Sequence, residues 1–230
     1  QTLSDASGVT GDEFGAKVKI SPSYALVSSP ERDNSRGEVF YFGFLNTSYA
    51  VTPTRISAPD GNPNHYFGSS LGIDGTKFII GAPGNERAYI FDQATSLINP
   101  IKTLQNPAGV SSGEEFGYKV ELKNDVAIVT MPGYSNDKGG VVIFSGTNFI
   151  NASTKTPSEG VSGDRFGEGL SFDGTSILVG APNALANKGA AYFLTGVNWS
   201  ISQRASDVIS GAVNDHFGAE VSIDGNMAVI

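Results

Sequence analysis

One short pattern recurs five times along this chain, as EFGAKV, YFGSSL, EFGYKV, RFGEGL and HFGAEV, and its spacing dictates a repeat architecture. The phenylalanines are Phe14, Phe67, Phe116, Phe166 and Phe217, separated by 53, 49, 50 and 51 residues, the period of propeller blades and similar arrays. Apolar residues fall four and six places after each Phe, as Val18 and Ile20, Leu71 and Ile73, Val120 and Leu122, Leu170 and Phe172, Val221 and Ile223. That alternation predicts a strand with one buried face. A turn is expected at seven and eight places, at Ser21-Pro22, Asp74-Gly75, Lys123-Asn124, Asp173-Gly174 and Asp224-Gly225, since Asp-Gly between apolar runs is a hairpin signal. Denser apolar runs follow at 24–27, 78–80, 126–129, 177–179 and 227–230, the composition of a strand buried on both faces.

Sixteen residues after each of the first four phenylalanines stands a proline, at Pro30, Pro83, Pro132 and Pro182. Proline cannot donate to a central ladder, so it ends the second strand. A third strand is predicted through 37–42, 87–91, 139–144 and 189–194, and a weaker, more polar fourth through segments such as 100–107. Four antiparallel strands per repeat, without helical periodicity, define an all-β chain with the four-stranded antiparallel blades of a β-propeller. In each blade the Phe is expected to fill space between sheets. Its partner, Gly15, Gly68, Gly117, Gly167 or Gly218, is expected to allow a tight, positive-φ entry into the first strand.

These features resemble the Phe-Gly/Gly-Ala-Pro repeats of integrin α-subunit propellers and their relatives. Gly-Ala-Pro stands at 81–83 and 180–182, with Ser-Ser-Pro at 28–30 and Thr-Met-Pro at 130–132 in the same register. The resemblance covers nearly the whole chain and implies a single FG-GAP propeller domain over 1–230, with repeats beginning near 12, 65, 114, 164 and 215. Gln1-Thr2-Leu3 is similar to Lys102-Thr103-Leu104, and Ile230 lies thirteen places after Phe217. Four full blades plus partial blades at both ends are therefore expected, an excerpt of a seven-bladed ring. The resemblance further implies a non-catalytic, secreted or cell-surface module for protein interaction or adhesion, with a protein or carbohydrate ligand. A lectin-like propeller or an accessory domain of a larger secreted enzyme are the alternatives.

Some integrin-type blades hold calcium in the hairpin between their first two strands. Calcium needs six to eight oxygens, and the hairpins here are two residues long with at most one nearby carboxylate, Asp74, Asp125, Asp173 or Asp224. No cofactor or metal is therefore expected, and those aspartates are expected to form turns. Fifteen basic against 23 acidic residues give a net charge of -8, which opposes nucleic acid or an anionic membrane as partner. No apolar run approaches the length of a membrane span. Zero cysteines remove disulfide and thiolate chemistry. Only two histidines exist, His65 and His216, and no nucleophile elbow or phosphate loop accompanies them, so no catalytic residue is assigned.

Superposing the repeats places Asp12, His65, Glu114, Asp164 and Asp215 two residues before each Phe, and Arg36, Lys138 and Lys188 twenty-two after three of them. Both positions fall in loops on one face, so Asp12 with Arg36, Glu114 with Lys138 and Asp164 with Lys188 are expected to pair. The longest loops on that face, 31–37, 133–139 and 183–189, carry the candidate ligand residues Arg32, Asp33, Asn34, Arg36, Tyr134, Asn136, Asp137, Lys138, Asn187 and Lys188. Loops held by a rigid scaffold are where binding residues concentrate. Sequons stand at Asn46, Asn151 and Asn198.

Overall fold

A computed structural model describes residues 2–45, 48–50, 52–109, 111–206 and 212–230. The first sheet contains β1 (Val18–Ile20), β2 (Tyr24–Ser29), β3 (Glu38–Leu45), the short β4 (Ser48–Tyr49) and β5 (Thr54–Ile56). The second contains β6 (Ser70–Asp74), β7 (Lys77–Ala82), β8 (Arg87–Asp92) and β9 (Lys102–Leu104), and the third β10 (Val120–Lys123), β11 (Val126–Met131), β12 (Gly140–Ser145) and β13 (Asn151–Lys155). The fourth is built of β14 (Leu170–Phe172), β15 (Ile177–Ala181), β16 (Ala190–Thr195) and β17 (Ser200–Ala205), and the last described pair is β18 (Ser222–Asp224) with β19 (Met227–Val229). Every strand pairing is antiparallel, and the strands follow chain order except in the first sheet, where β5 pairs with β3. Each second strand ends on the residue before Pro30, Pro83, Pro132 or Pro182.

The first strands β1, β6, β10, β14 and β18 lie side by side in chain order, so the sheets radiate as propeller blades from a shared hub. The core lies between blades rather than within one. Tyr24, Leu26 and Val39 of the first blade share a cluster with Phe67, Phe78 and Tyr89 of the second, and Phe116 and Phe166 anchor the next two clusters. Phe67, Phe116 and Phe166 are fully buried, whereas Phe14 and Phe217, in the outermost blades, are half-buried. The hairpins turn one residue later than the sequence suggests. Register pairs Asp74 with Lys77, Lys123 with Val126 and Asp224 with Met227, so Asp74, Lys123 or Asp224 opens the turn and Gly75, Asn124 or Gly225 takes its first, left-handed position.

Neighbouring blades are stapled by backbone. The loop after β2 turns through Asp33, Asn34 and Ser35, all at positive φ, and this aims three carbonyls at the next blade. Those of Asn34, Ser35 and Arg36 accept the amides of Asn64, Tyr66 and Phe67 at 3.0, 2.8 and 3.1 Å. The third blade repeats this, Asn136, Asp137 and Lys138 accepting from Gly163, Arg165 and Phe166 at 3.2, 2.8 and 3.1 Å. Gly139 has φ +87, and a Cβ there would lie 2.1 Å from the Phe166 carbonyl oxygen. The second blade's loop is shorter and its solution is different. Glu86 accepts the amides of Gly113 and Glu115 on Oε1 at 2.9 and 3.1 Å and that of Phe116 on Oε2 at 2.6 Å. One carboxylate thus replaces three carbonyls on the equivalent amides.

Candidate functional site

In an antiparallel blade the loop between the second and third strands and the loop leading to the next blade emerge on one face. On that face the first blade builds a cleft of about 600 Å³. Its centre is Arg32, whose repeat equivalents are Tyr134, packed against the core of the third blade, and Ala184, buried in the fourth. A guanidinium at a position otherwise given to core packing must be neutralised, because burying an unpaired charge is costly. Arg32 Nη1 bonds Asp5 and, at 2.9 Å, Asp12, while its Nε lies 2.9 Å from Glu38 Oε2. Asp5 also holds Arg55 Nη2, at 3.2 Å. Both guanidinium carbons, of Arg32 and Arg55, sit 5.7 Å from the centroid of the buried Phe40 ring, within cation-π range.

The electrostatics follow from this stacking. Burial works against the Asp5 carboxylate, but hydrogen bonds from Ser7 and the charges of Arg32 and Arg55 hold its pKa below the ordinary value. Burial pushes Glu38 up, against the pull of Arg55 and Arg32. At the cleft margin Arg36 Nη1 bonds Asp33 at 2.5 Å. On the second-blade side Asp60 bonds both Arg87 and the hydroxyl of the buried Tyr89, which also accepts Asn85 Nδ2 at 2.8 Å. Arg36 Nε, Arg87 Nε and Asn85 Oδ1 are buried without a hydrogen-bond partner.

The sequence profile of the FG-GAP repeat matches residues 52–91 and 153–194. Those two segments are FG-GAP repeats. The chain is 27% identical over 179 residues to integrin alpha-2 of Mus musculus, an alignment covering 66% of this chain and 15% of that protein. The fold is similar to two solved β-propellers. One is the Cps50 (Swd1) β-propeller domain from Myceliophteria thermophila, with a TM-score of 0.55 and 10% identity over 85% of this chain and 56% of that one. The other is the WD40 domain of Toxoplasma gondii coronin, with a TM-score of 0.61 and 8% identity over 90% of this chain and 48% of that one. The chain thus spans 15% of the curated relative it matches and about half of each solved propeller.

Within the blades the residues proposed from sequence divide. Arg32, Asp33 and Arg36 line the cleft, whereas Asn34 is exposed and does not. Tyr134 is turned against the core, Asn136 and Asp137 are exposed on the third blade with Asp137 held by Arg165 at 3.3 Å, and Asn187 and Lys188 stand on the fourth. These latter groups lie on other blades and do not line the cleft. The three expected intrablade ion pairs are not formed. Asp12 pairs with Arg32 instead of Arg36, and among the described residues neither Lys138 nor Lys188 forms an ion pair.

The acids before each Phe cap their own loop: Asp12, Asp164 and Asp215 accept the amides of Val9, Val161 and Ala212 at 3.0, 2.8 and 2.6 Å. His65 does the same through Nδ1, accepting from Asn62 at 3.2 Å, and Glu114 accepts Asn106 Nδ2 at 2.8 Å. For Asp164 a partner three residues away, and for Glu114 one eight residues away, takes the place of the expected lysine because the turn has already brought it into position, whereas Asp12 keeps its turn amide and adds Arg32.

Two of the hairpin aspartates are likewise engaged by amides, while Asp125 bonds Lys77 Nζ. Asp74 accepts Asn124 of the next blade at 2.8 Å, and Asp173 accepts Thr175 and Ser176 of its own turn at 2.7 and 2.8 Å. Among the described residues no group of three or more His, Asp or Glu side chains is placed to hold a metal ion, and no helix is long and apolar enough to cross a membrane. Of the sequons, Asn151 and Asn198 are exposed, and Asn46 lies outside the described residues.

Sequence reasoning missed Asp5, Glu38, Arg55, Asp60 and Arg87. Two of them carried a signal. Glu38 and Arg87 open the third strand where Gly140 and Ala190 stand in later blades, so comparing repeats at that register marks the first two blades as charged.

Proposed function

We propose that this chain is a non-catalytic, extracellular or cell-surface module for protein interaction or adhesion, which meets its partner through the face formed by the second-to-third-strand loops. The observation that carries the proposal is the first-blade cleft, about 600 Å³ and within the size range of recognition pockets, where a charged cluster replaces the core packing of the later blades. Similarity to an integrin α-subunit supports an extracellular protein ligand. The carbohydrate alternative gains little support, because Tyr134, the aromatic of the long loops, packs inward. The loops are pinned by interblade hydrogen bonds, so the face is preorganised and its binding carries a small ordering cost.

The test is capture of cell-surface partners by the chain, repeated with a loop-face variant, Asp33→Lys, and an opposite-face variant, Asn198→Asp. The proposal expects the first to lose the captured partner and the second to keep it. The reverse pattern would place binding on the opposite face.

A further inference from the structure

We infer that Asn151 and Asn198 carry N-linked glycans, which cover the outer edges of the third and fourth blades on the face turned away from the binding loops. The inference rests on the extracellular reading above, because the modification is made along the secretory route, and adds the sites and their purpose. Asn151-Ala152-Ser153 and Asn198-Trp199-Ser200 both have the acceptor pattern. Asn46 has it too but lies outside the described residues, and none of the argument rests on it.

Both asparagines stand where the third strand gives way to the fourth. Asn151 is the first residue of β13, paired with Ser145, and Asn198 lies in the turn before β17. Each is exposed together with the serine two places on, and among the described residues neither side chain makes a hydrogen bond. Gly146 opens the third-blade hairpin at φ +76, and a Cβ there would lie 2.5 Å from Asn151 Nδ2, so the glycine leaves that nitrogen room for a substituent. Gly196 holds the same place in the fourth blade, at φ +77 with nothing within 4 Å.

The outer strands need a cover. β13 and β17 are the last strands of their sheets, five and six residues long, and an open edge offers unpaired N–H and C=O groups to another chain. Charge is the common defence, and here it sits at the loop-face end alone, on Lys155 and Arg204. Residues 146–154 and 196–203 hold no charged side chain, and within them Ile150 is 69% and Val197 96% exposed. The second blade has no sequon and needs none, because its outer strand β9 is three residues long and follows Pro100, which lacks an amide hydrogen. The two sequons thus accompany two long, uncharged edges.

The bond is made at Nδ2. That nitrogen attacks the anomeric carbon of an oligosaccharide carried on a lipid pyrophosphate, and the N–C bond forms as the bond from that carbon to the pyrophosphate oxygen breaks. The lipid pyrophosphate leaves with the electron pair, and one Nδ2 proton passes to a base of the transferase.

The experiment is peptide mapping by mass spectrometry of the chain isolated from its own cells, before and after a glycosidase that cleaves the asparagine–sugar bond and leaves aspartate. The expected result is oligosaccharide mass on the peptides holding 151 and 198, Asp at both positions after cleavage, and no modification of Asn148, an exposed asparagine of the same hairpin without a sequon. Ser153→Ala and Ser200→Ala should each remove one glycan. Sedimentation should show the double variant Asn151→Gln/Asn198→Gln associating at concentrations about tenfold below those of the glycosylated chain, with circular dichroism showing it folded.

The inference is overturned if either asparagine is unmodified in the native chain, or if the folded double variant associates no more readily than the glycosylated chain. A chain found outside the cell without glycans leaves the protein-interaction reading standing. Glycans at both sites with partner capture on the opposite face do the converse.

Discussion

The carboxylate of Glu86 accepts the backbone amide of Phe116 at 2.6 Å, and through that contact a side chain of one blade does what backbone carbonyls do between the others. A shortened loop could not reach the next blade with three carbonyls, and a single carboxylate with two oxygens covers the same three donors.

Glu86→Ala leaves the amides of Gly113, Glu115 and Phe116 without their acceptor. Each is a hydrogen bond to a charged group in a site only 6% exposed, so urea unfolding should show a loss of about 3 kcal/mol, with Glu86→Gln, which keeps one acceptor oxygen, losing about half as much. A loss within about 0.5 kcal/mol for the alanine variant, the size of an ordinary surface substitution, would show that the staple is not needed.

Gly139→Ala places a Cβ 2.1 Å from the Phe166 carbonyl at φ +87, whereas Gly11, at φ +99, has nothing within 4 Å. The two substitutions share the backbone strain, about 1 to 2 kcal/mol, but only the first adds a collision between blades, about 1 to 3 kcal/mol more. Thermal melts should rank Gly139→Ala clearly below Gly11→Ala; equal losses would mean that blade contact does not constrain this glycine.

The same repeats made most of the fold legible. Strand order and the Phe and Pro positions follow from alternation and from residues whose chemistry permits one role, so register carried them across 230 residues. The ion pairs were misassigned because spacing places Asp12 and Arg36 on one face but says nothing of Arg32, which reaches Asp12 first. Superposition gives Asp5 the counterpart Asn106, and both accept the amide two residues on, of Ser7 and Ala108; that equivalence marks a turn cap, and only packing brings Asp5 to Arg32 and Arg55.

His65 supplies the pH dependence. Burial, then the charge of Arg36, lowers its pKa below 6.5 in the folded chain, so below that value the unfolded chain binds the proton more readily. Its contribution to stability is complete above pH 6.5 and falls as pH drops through 6.5 toward the folded-state value. Protonation also removes the acceptor for the Asn62 amide. His65→Asp restores the acid found in the other repeats, so melting temperature between pH 7.5 and about 5 should fall less in the variant than in the native chain. Parallel curves would remove His65 from the account.

Calcium should leave the chain unchanged. Asp74 and Asp173 already accept amides and Asp125 is held by Lys77, and a cation needing six or more oxygens would have to break those contacts. Melting with excess calcium and with a chelator should give the same midpoint; a calcium-dependent rise would show a site that the hairpins conceal.

The most direct test of the proposed binding face is hydrogen exchange on the chain alone and with a captured partner. The account predicts new protection in 31–38 and 55–61, the segments that frame the first-blade cleft. Protection confined to the hairpins between third and fourth strands, at 93–101, 146–150 and 196–199, would place the partner on the opposite face and contradict it.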